Sequence, residues 1–519
     1  MFIRIKGIKA TFCKVLACFS LCAGFSACSL EEIPLSEATP DMLYTTPNGI
    51  RDGVYGVYSL LRGLYGSQQG FTLTTFGTDL FMHGKDGGYK AMDLYTTELD
   101  PSMSYLYDVW NTCYRAINGA NTVLERVDAV PISEEQKNQY RAEARFLRAH
   151  FYYWLTIQFG DVVWTDQETK GVITDAGRTA KAEIWQHMKA DTEFAVEHLD
   201  WTPAAYGRAT KGAALHQLAS ILLLLGENQA AGDAAARVIT EGPYNLLDDY
   251  AAVFDYGNQQ NSEIVFAVQY TNVVLNNGSG NQGHAFFTPA YDQFAGLARD
   301  VAQGGRPYAR FRPTPFFIGL FEANDERFDA TFRRHWFYNN AATLPAGKSI
   351  GDTVVWEIEP GVFSTTAPNV TNMHWGIKKH DDATRASAQD LAGFRDFFVY
   401  RLSETYLLAA EGYLLANQPE TAAGYLNTVR QRAAKPGTTL PAVTAADINM
   451  DTILDERARE LGGEAKRWMD LTRTGKLVER VRLYNTNGKA NIQPHHALRP
   501  IPLQQIDLTT VEFPQNPDY

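Results

Sequence analysis

Apolar positions recur at helical spacing soon after the N-terminal region. Ile50, Val54, Val57 and Leu61 share one face and predict an amphipathic helix starting near Asn48. The period is lost over residues 77–104, which hold glycine, aspartate and tyrosine, and returns in SYLYDVWNTCYRAINGANTVLERV at 104–127. Pro131 ends that segment. Ser133 can cap the next helix, with Glu134 and Glu135 in its first turn. Tyr140, Ala144, Leu147, Phe151 and Leu155 then share a face, and Gly160 stops it. A further helix is expected over 181–199, with Ile184, Met188, Ala195 and Leu199 on one side.

The pattern then repeats itself. KGAALHQLASILLLLGENQAAGDAAARVI (211–239) is echoed by RLSETYLLAAEGYLLANQPETAAGYLNTVRQR (401–432), which aligns Leu218 with Leu408, Ala219 with Ala409, Leu224 with Leu414 and Leu225 with Leu415. Helix, short break and alanine-rich helix is the style of tetratricopeptide repeats, in which small side chains let neighbouring helices approach closely. Residues 243–394 differ. SEIVFAVQY reads as a buried strand with Ile264, Phe266 and Val268 alternating, DTVVWEIE as another strand, and NNGSGNQG and LPAGKSIGD as loops. The expected fold is mainly α: a single domain over 48–519, with a helical-pair frame at about 48–242 and 395–519. A loop-rich insertion with short strands, 243–394, hangs on that frame, and such loops are where binding residues tend to sit.

The first 47 residues change the setting. Arg4, Lys6, Lys9 and Lys14 precede the apolar run VLACFSLCAGFSA (15–27). That run is shorter than the roughly 20 apolar residues of a membrane span and fits a signal peptide over 1–27. FSAC resembles the lipobox of bacterial lipoproteins, in which the cysteine, here Cys28, becomes the acylated N-terminus. Several acyl chains anchor stably where one is marginal. An ordinary signal peptide with an incidental cysteine is the plainer alternative. Glu31 and Glu32 resemble the acidic export tag of Bacteroidetes surface lipoproteins, and Pro34, Pro40 and Pro47 mark 28–47 as a tether. Four of the five cysteines lie in or at the end of the leader, leaving Cys113 with no disulfide partner. The net charge is −12, and loss of the leader cations makes the mature chain more acidic still. Nucleic acid needs a basic footprint and is not an expected partner.

Catalytic and cofactor motifs are weak. GSGNQG, Gly278 to Gly283, matches the dinucleotide pattern formally. It lies in a polar loop with no helix expected after it, so it reads as a flexible loop. His495 and His496 are adjacent and read as a solvated pair rather than a metal site. In LDERARELGGEAKRW the acids Asp455, Glu456, Glu460 and Glu464 interleave with Arg457, Arg459, Lys466 and Arg467. Paired carboxylates serve glycosidases, but this spacing, with Asp455 four before Arg459, favours ion-paired structural helices. No enzyme activity, cofactor or metal is expected.

Four long segments carry a resemblance: YRAEARFLRAHFYYWLTIQFGDV (140–162), RLSETYLLAAEGYLLA (401–416), ILDERARELGGEAKRWMDLTRTGKL (453–477) and RPIPLQQIDLTTVEFPQNPDY (499–519). In this order, and with the lipobox, the chain resembles the SusD/RagB outer-membrane lipoproteins of Bacteroidetes. The resemblance implies four tetratricopeptide-like helix pairs with an irregular ligand-binding half. It implies a non-catalytic lid on a SusC-like TonB-dependent barrel at the outer face of the outer membrane, held by its lipid anchor. The expected ligand is an oligosaccharide or polysaccharide, or a peptide in the RagB branch.

Sugar sites pair aromatic faces with a few fixed polar groups. Two stretches supply that mixture. One holds Asp79, Phe81, His83, Lys85, Asp86, Tyr89 and Tyr95, the other Tyr270, Tyr291, Arg306, Tyr308, Arg310, Trp336 and Tyr338. Tyr89 and Trp336 are expected as stacking platforms, with His83, Asp86 and Arg306 as polar partners. Core packing is the alternative for any single ring.

Overall fold

Thr46 and Pro47 begin the first helix, α1 (Pro47–Leu60): the Thr46 hydroxyl accepts the Gly49 N–H at 3.0 Å, and Pro47 needs no donor at the first position. Its buried face is Ile50, Val54 and Val57, as the spacing predicts. This is a computed structural model describing residues 44–85, 87–355 and 374–519. The leader, Cys28, most of the tether, Asp86 and the second half of DTVVWEIE lie outside the described residues. Tyr44–Tyr519 forms one compact unit.

After α2 (Gln68–Thr75), the frame proper runs through α3 (Ser104–Arg126) and α4 (Glu134–Phe159). Ser133 and Gln136 close a capping box at the start of α4, and Gly160, at φ 75°, ends it. Then come α5 (Lys181–His198), α6 (Lys211–Leu225) and α7 (Asn228–Glu241). Beyond the insertion lie α8 (Leu402–Leu415), α9 (Pro419–Arg432), α10 (Met450–Leu461), α11 (Arg467–Arg473) and α12 (Leu477–Tyr484). Each long helix packs on the next from α3 to α7, α7 then packs on α8 across the insertion, and α8 packs on α9. The two sequence echoes are therefore spatial neighbours. Gly232 and Gly412 make the crossing: a β-carbon on Gly412 would stand 2.5 Å from the Gly232 backbone nitrogen.

Short antiparallel pairs join the insertion to the rest of the chain. β1 (Phe81–His83) pairs with β3 (Phe311–Pro313), and β2 (Ile264–Val268) with β4 (Phe397–Arg401). β2 is buried, as SEIVFAVQY suggests, and not only at the alternating Ile264, Phe266 and Val268: all five of its residues are buried. Val265, Phe266 and Val268 face the main core, while Ile264 and Ala267 join Phe398 and Val253 in a smaller one. The frame, expected from about 395, does not resume there as helix. FFVYR is β4, which its aromatic and β-branched residues favour, and α8 starts at Leu402.

Charge locks insertion to frame. Arg401 meets Glu263 at 2.6 Å and Glu464 at 2.8 Å; Arg327 meets Asp325 and Glu456, each at 2.7 Å; Arg432 meets Glu460 at 2.6 Å. All are buried. The acids of the LDERARELGGE stretch are thus structural, and most of their partners are remote, with Glu456–Arg459 a local pair. Asp455 pairs with Arg480, and Arg459 with Glu456, in place of the expected Asp455–Arg459 pair. His495 and His496 are not a solvated pair: His496 is buried, and its Nδ1 accepts the Gln493 N–H at 2.8 Å. Cys113 is fully buried. Among the described residues no helix is long and apolar enough to cross a membrane.

Candidate functional site

The β1–β3 pairing sets the geometry. It continues past His83, where the Gly84 and Lys85 N–H groups donate to the carbonyls of Arg310 and Ala309, both at 2.8 Å. Ala309 is a non-glycine residue at φ +48° and fully buried. Its N–H donates to Thr288 O at 2.8 Å, while those of Tyr308 and Arg310 reach Ala285 O and Phe286 O at 2.9 Å. A left-handed residue held this way costs about 1–3 kcal/mol and persists only where its surroundings over-determine it. It fixes how Tyr308 and Arg310 are presented on either side.

The result is a row of rings and guanidinium groups. Tyr89 stacks on Tyr105 with centroids 3.4 Å apart and planes at 20°. The Arg310 guanidinium lies 5.9 Å from the Tyr89 ring, 4.5 Å from Phe286 and 5.7 Å from Tyr308. Tyr308 runs nearly parallel to Phe286 at 18°, and the Arg306 guanidinium lies 5.2 Å from the Tyr308 ring. Tyr89, Tyr308 and Arg306 are part-exposed, whereas Tyr105, Phe286 and Arg310 are buried behind them. Burial pushes the Tyr105 phenol well above its ordinary range. At one end of the row the Gln68 amide reaches the Tyr89 hydroxyl at 3.5 Å. The buried Tyr105 and Phe286 hold the Tyr89 and Tyr308 rings, which stand with Arg306 at the surface.

Three expected residues, Tyr89, Tyr308 and Arg306, are brought together. Others are not. Trp336 is 0% exposed and packs with Tyr291 and Leu297 in a separate small core, with Tyr338 against it, so it offers no platform. Tyr95 is core, at φ +53° with its hydroxyl donating to Gly77 O at 2.5 Å. Asp79 is 0% exposed and pinned by Arg467 and Arg480 at 2.7 and 2.6 Å. Burial alone would raise its carboxyl, but Arg467 and Arg480 more than offset that and hold it below the usual carboxylate range. His83 is part-exposed. Its Nδ1 lies 2.8 Å from Asp93 and 3.1 Å from Asn487, which fixes the ring at the far end of β1. Asp86 lies outside the described residues. Tyr105, Phe286 and Gln68 went unread: they sit on helical segments, where an aromatic or amide carries no sign of which loop will cover it.

A small cavity of about 50 Å³, with room for water, lies among Tyr65, His150, Gln217, Glu404 and Lys466. No group of three or more histidine, cysteine or acidic side chains among the described residues is placed to hold a metal ion.

Comparison with known proteins places this geometry in context. Residues 262–519 match the model of the SusD family, and residues 54–223 match that of a family described as starch-binding and associating with the outer membrane. SusD-like protein P25 of Formosa agariphila is 28% identical, covering 98% of each chain. Starch-binding protein SusD of Bacteroides thetaiotaomicron is 23% identical over 85% of this chain and 84% of its own. A laminarin-binding SusD-like protein of known structure superposes with a TM-score of 0.74 at 24% identity, over 92% of this chain and all of its own.

Proposed function

The chain belongs to the SusD/RagB family, and on that premise we propose that it is a non-catalytic cell-surface lipoprotein that captures oligosaccharides or polysaccharides on the Tyr89–Tyr308 row and delivers them to a SusC-like TonB-dependent barrel. The row carries the reading. Sugar rings present flat C–H faces for Tyr89 and Tyr308, and their hydroxyls take hydrogen bonds from Arg306 and Gln68. The ligands named for two similar proteins, starch and laminarin, are glycans, which supports the same class here. Binding rather than hydrolysis is supported by the acids, since Glu456, Glu460 and Glu464 are all held by arginines inside the protein.

Acylated Cys28 is the anchor in this reading. The outer-membrane description of the family matched over 54–223 supports that location. An apolar strip supports the partner. Val172 and Ile173 are 89% and 58% exposed, and the Thr510 N–H, donating to Thr174 O at 2.6 Å, brings Leu508 and Val511 alongside. The same loop carries Glu168, which pairs at 2.8 Å with Arg126, whose guanidinium lies over Tyr44 where the domain begins. An apolar strip near the anchored end suits contact with a barrel.

The experiment is affinity electrophoresis in gels containing starch or laminarin, with calorimetry on wild type, Tyr89→Ala and Tyr308→Ala, and circular dichroism to confirm folding. Loss of a stacked ring should cost on the order of 1–3 kcal/mol, taking ring–base stacking as the scale. Folded variants that bind as wild type would place the site elsewhere. Binding confined to a peptide-library arm would favour the RagB-type ligand.

A further inference from the structure

The helix after GSGNQG is a single turn, Gly283–Phe286, too short to serve a phosphate, and sequence reasoning expected none at all. The loop has another place in the fold. It forms one wall of a cleft of about 480 Å³, within the range of roughly 300–1,000 Å³ typical of small-ligand sites. Arg62, from the α1–α2 connection, Gln68, the first residue of α2, and Asp108, on α3, line the other side; Tyr270 joins them, with Ser279 and Gln282 from the loop.

The walls are preset. Gly66, at φ +79°, lets the backbone pass so close to Tyr270 that a β-carbon would stand 2.6 Å from its hydroxyl. Gly280, at φ +70°, is equally tight against Ala392, at 2.6 Å. The Gln282 N–H donates to Gly66 O at 2.9 Å, and the Asn281 side chain to Arg395 O at 2.9 Å, so the loop is clamped rather than free. The Arg62 Nε donates to Gln269 O at 3.0 Å and its guanidinium lies 5.6 Å over Tyr270. The Gln69 amide donates to Asp108 at 3.2 Å and fixes that carboxylate.

The chemistry is balanced: one cation, one carboxylate, three amides, three serine or threonine hydroxyls and a tyrosine. An acidic ligand would meet Asp108, and an apolar one would strip the amides of water uncompensated. Neutral, hydroxyl-rich chains supply donors and acceptors to both. The cleft also begins where the ring row ends. Gln68 belongs to both, and Tyr105, the partner of Tyr89, precedes Asp108 by one helical turn. Past Arg62 and Gly278 the surface continues into a groove of about 860 Å³.

We propose that this cleft is a second subsite for a neutral stretch of the same glycan chain, so that the protein selects long chains over short oligosaccharides. The proposal rests on the capture reading of the Tyr89–Tyr308 row. It is tested with Ser279→Trp, which fills the cleft from an exposed loop, and Asp108→Ala, which removes an acceptor from a part-exposed helix face; neither residue is in the row. Starch and laminarin serve as the long probes in affinity gels, and maltotriose and laminaritriose as the short probes in calorimetry. Each cleft variant should weaken polysaccharide binding about tenfold, the scale of one or two lost hydrogen bonds, and leave trisaccharide affinity unchanged. Unchanged polysaccharide binding in both folded variants overturns the subsite. So does an equal loss for long and short probes. Tyr89→Ala and Tyr308→Ala run in parallel: if they bind as wild type, the row reading fails, and if only the cleft variants do, the subsite alone fails. If wild type binds neither polysaccharide, both fall together.

Discussion

Asp79→Asn should damage stability and spare ligand binding. Asp79 has no exposed surface, and Arg467 and Arg480 expose only 6% and 3% of their side chains. Arg467 donates two bonds to the carboxylate, at 2.8 and 2.7 Å, and Arg480 one at 2.6 Å. Asparagine keeps the shape but removes the charge, and it turns a donor toward a donor. Breaking a buried pair from one side costs about 3–5 kcal/mol, because the partner charge stays buried. Arg480 retains Asp451 at 2.9 Å and Asp455 at 2.5 Å, near solvent, whereas Arg467 retains the Leu454 carbonyl at 2.7 Å, so the loss belongs at the lower end. Unfolding entropy of about 2.1 cal/mol/K per residue gives roughly 1 kcal/mol/K for a domain of this length, so the thermal midpoint should fall by roughly 3 °C. The pH dependence has a definite sign. The folded carboxyl lies below its unfolded value, so its stabilisation is present above about pH 4 and is lost as pH falls through the folded value. The gap between wild type and variant should therefore narrow on acidification. The assays are calorimetric unfolding from neutral pH to about pH 3, across the ordinary carboxylate range, and affinity electrophoresis at neutral pH. A variant as stable as wild type that has lost glycan binding would refute the reasoning and return Asp79 to the ligand site.

Gly412→Val should push α7 and α8 apart and cost about 1–3 kcal/mol by overpacking, read as a lower unfolding midpoint; an unchanged midpoint would show that the crossing can give. Burial alone would raise Glu460, but Arg432, Arg401 and Arg327 hold it well below the usual range, and Glu464 is depressed in the same way by Arg401 and Lys379. Stability should thus be flat above about pH 5 and fall as pH drops below about 4, where these groups lose their advantage over the unfolded chain. Cys113 has no exposed surface and burial pushes its thiol up, so it should resist alkylation in the folded protein and react only on unfolding, checked by mass spectrometry with and without denaturant. Cys28→Ala should release the protein from the membrane fraction in a strain lacking the partner barrel; full retention there would show a different anchor.

Regular elements were legible because their signal is local. The spacing of Ile50, Val54 and Val57, the Ser133 cap and the Gly160 stop each specify structure within a few residues, and the helices form where those signals fall. The internal echo gave helix, turn, helix twice, though not that α7 and α8 would pack on each other, which depends on Gly232 and Gly412 meeting across the whole insertion. The candidate site was legible only in composition. Tyr89, Tyr308 and Arg306, drawn from two separate stretches, lie in one row, but nothing near Asp79 in the chain announces Arg467, 388 residues away, and nothing near Tyr89 announces Tyr105 beneath it. In a loop without a period, neighbouring residues do not set the direction of a side chain. Whether an aromatic becomes a platform like Tyr89 or core like Trp336 is decided by which remote segment covers it, and only the tertiary structure holds that information.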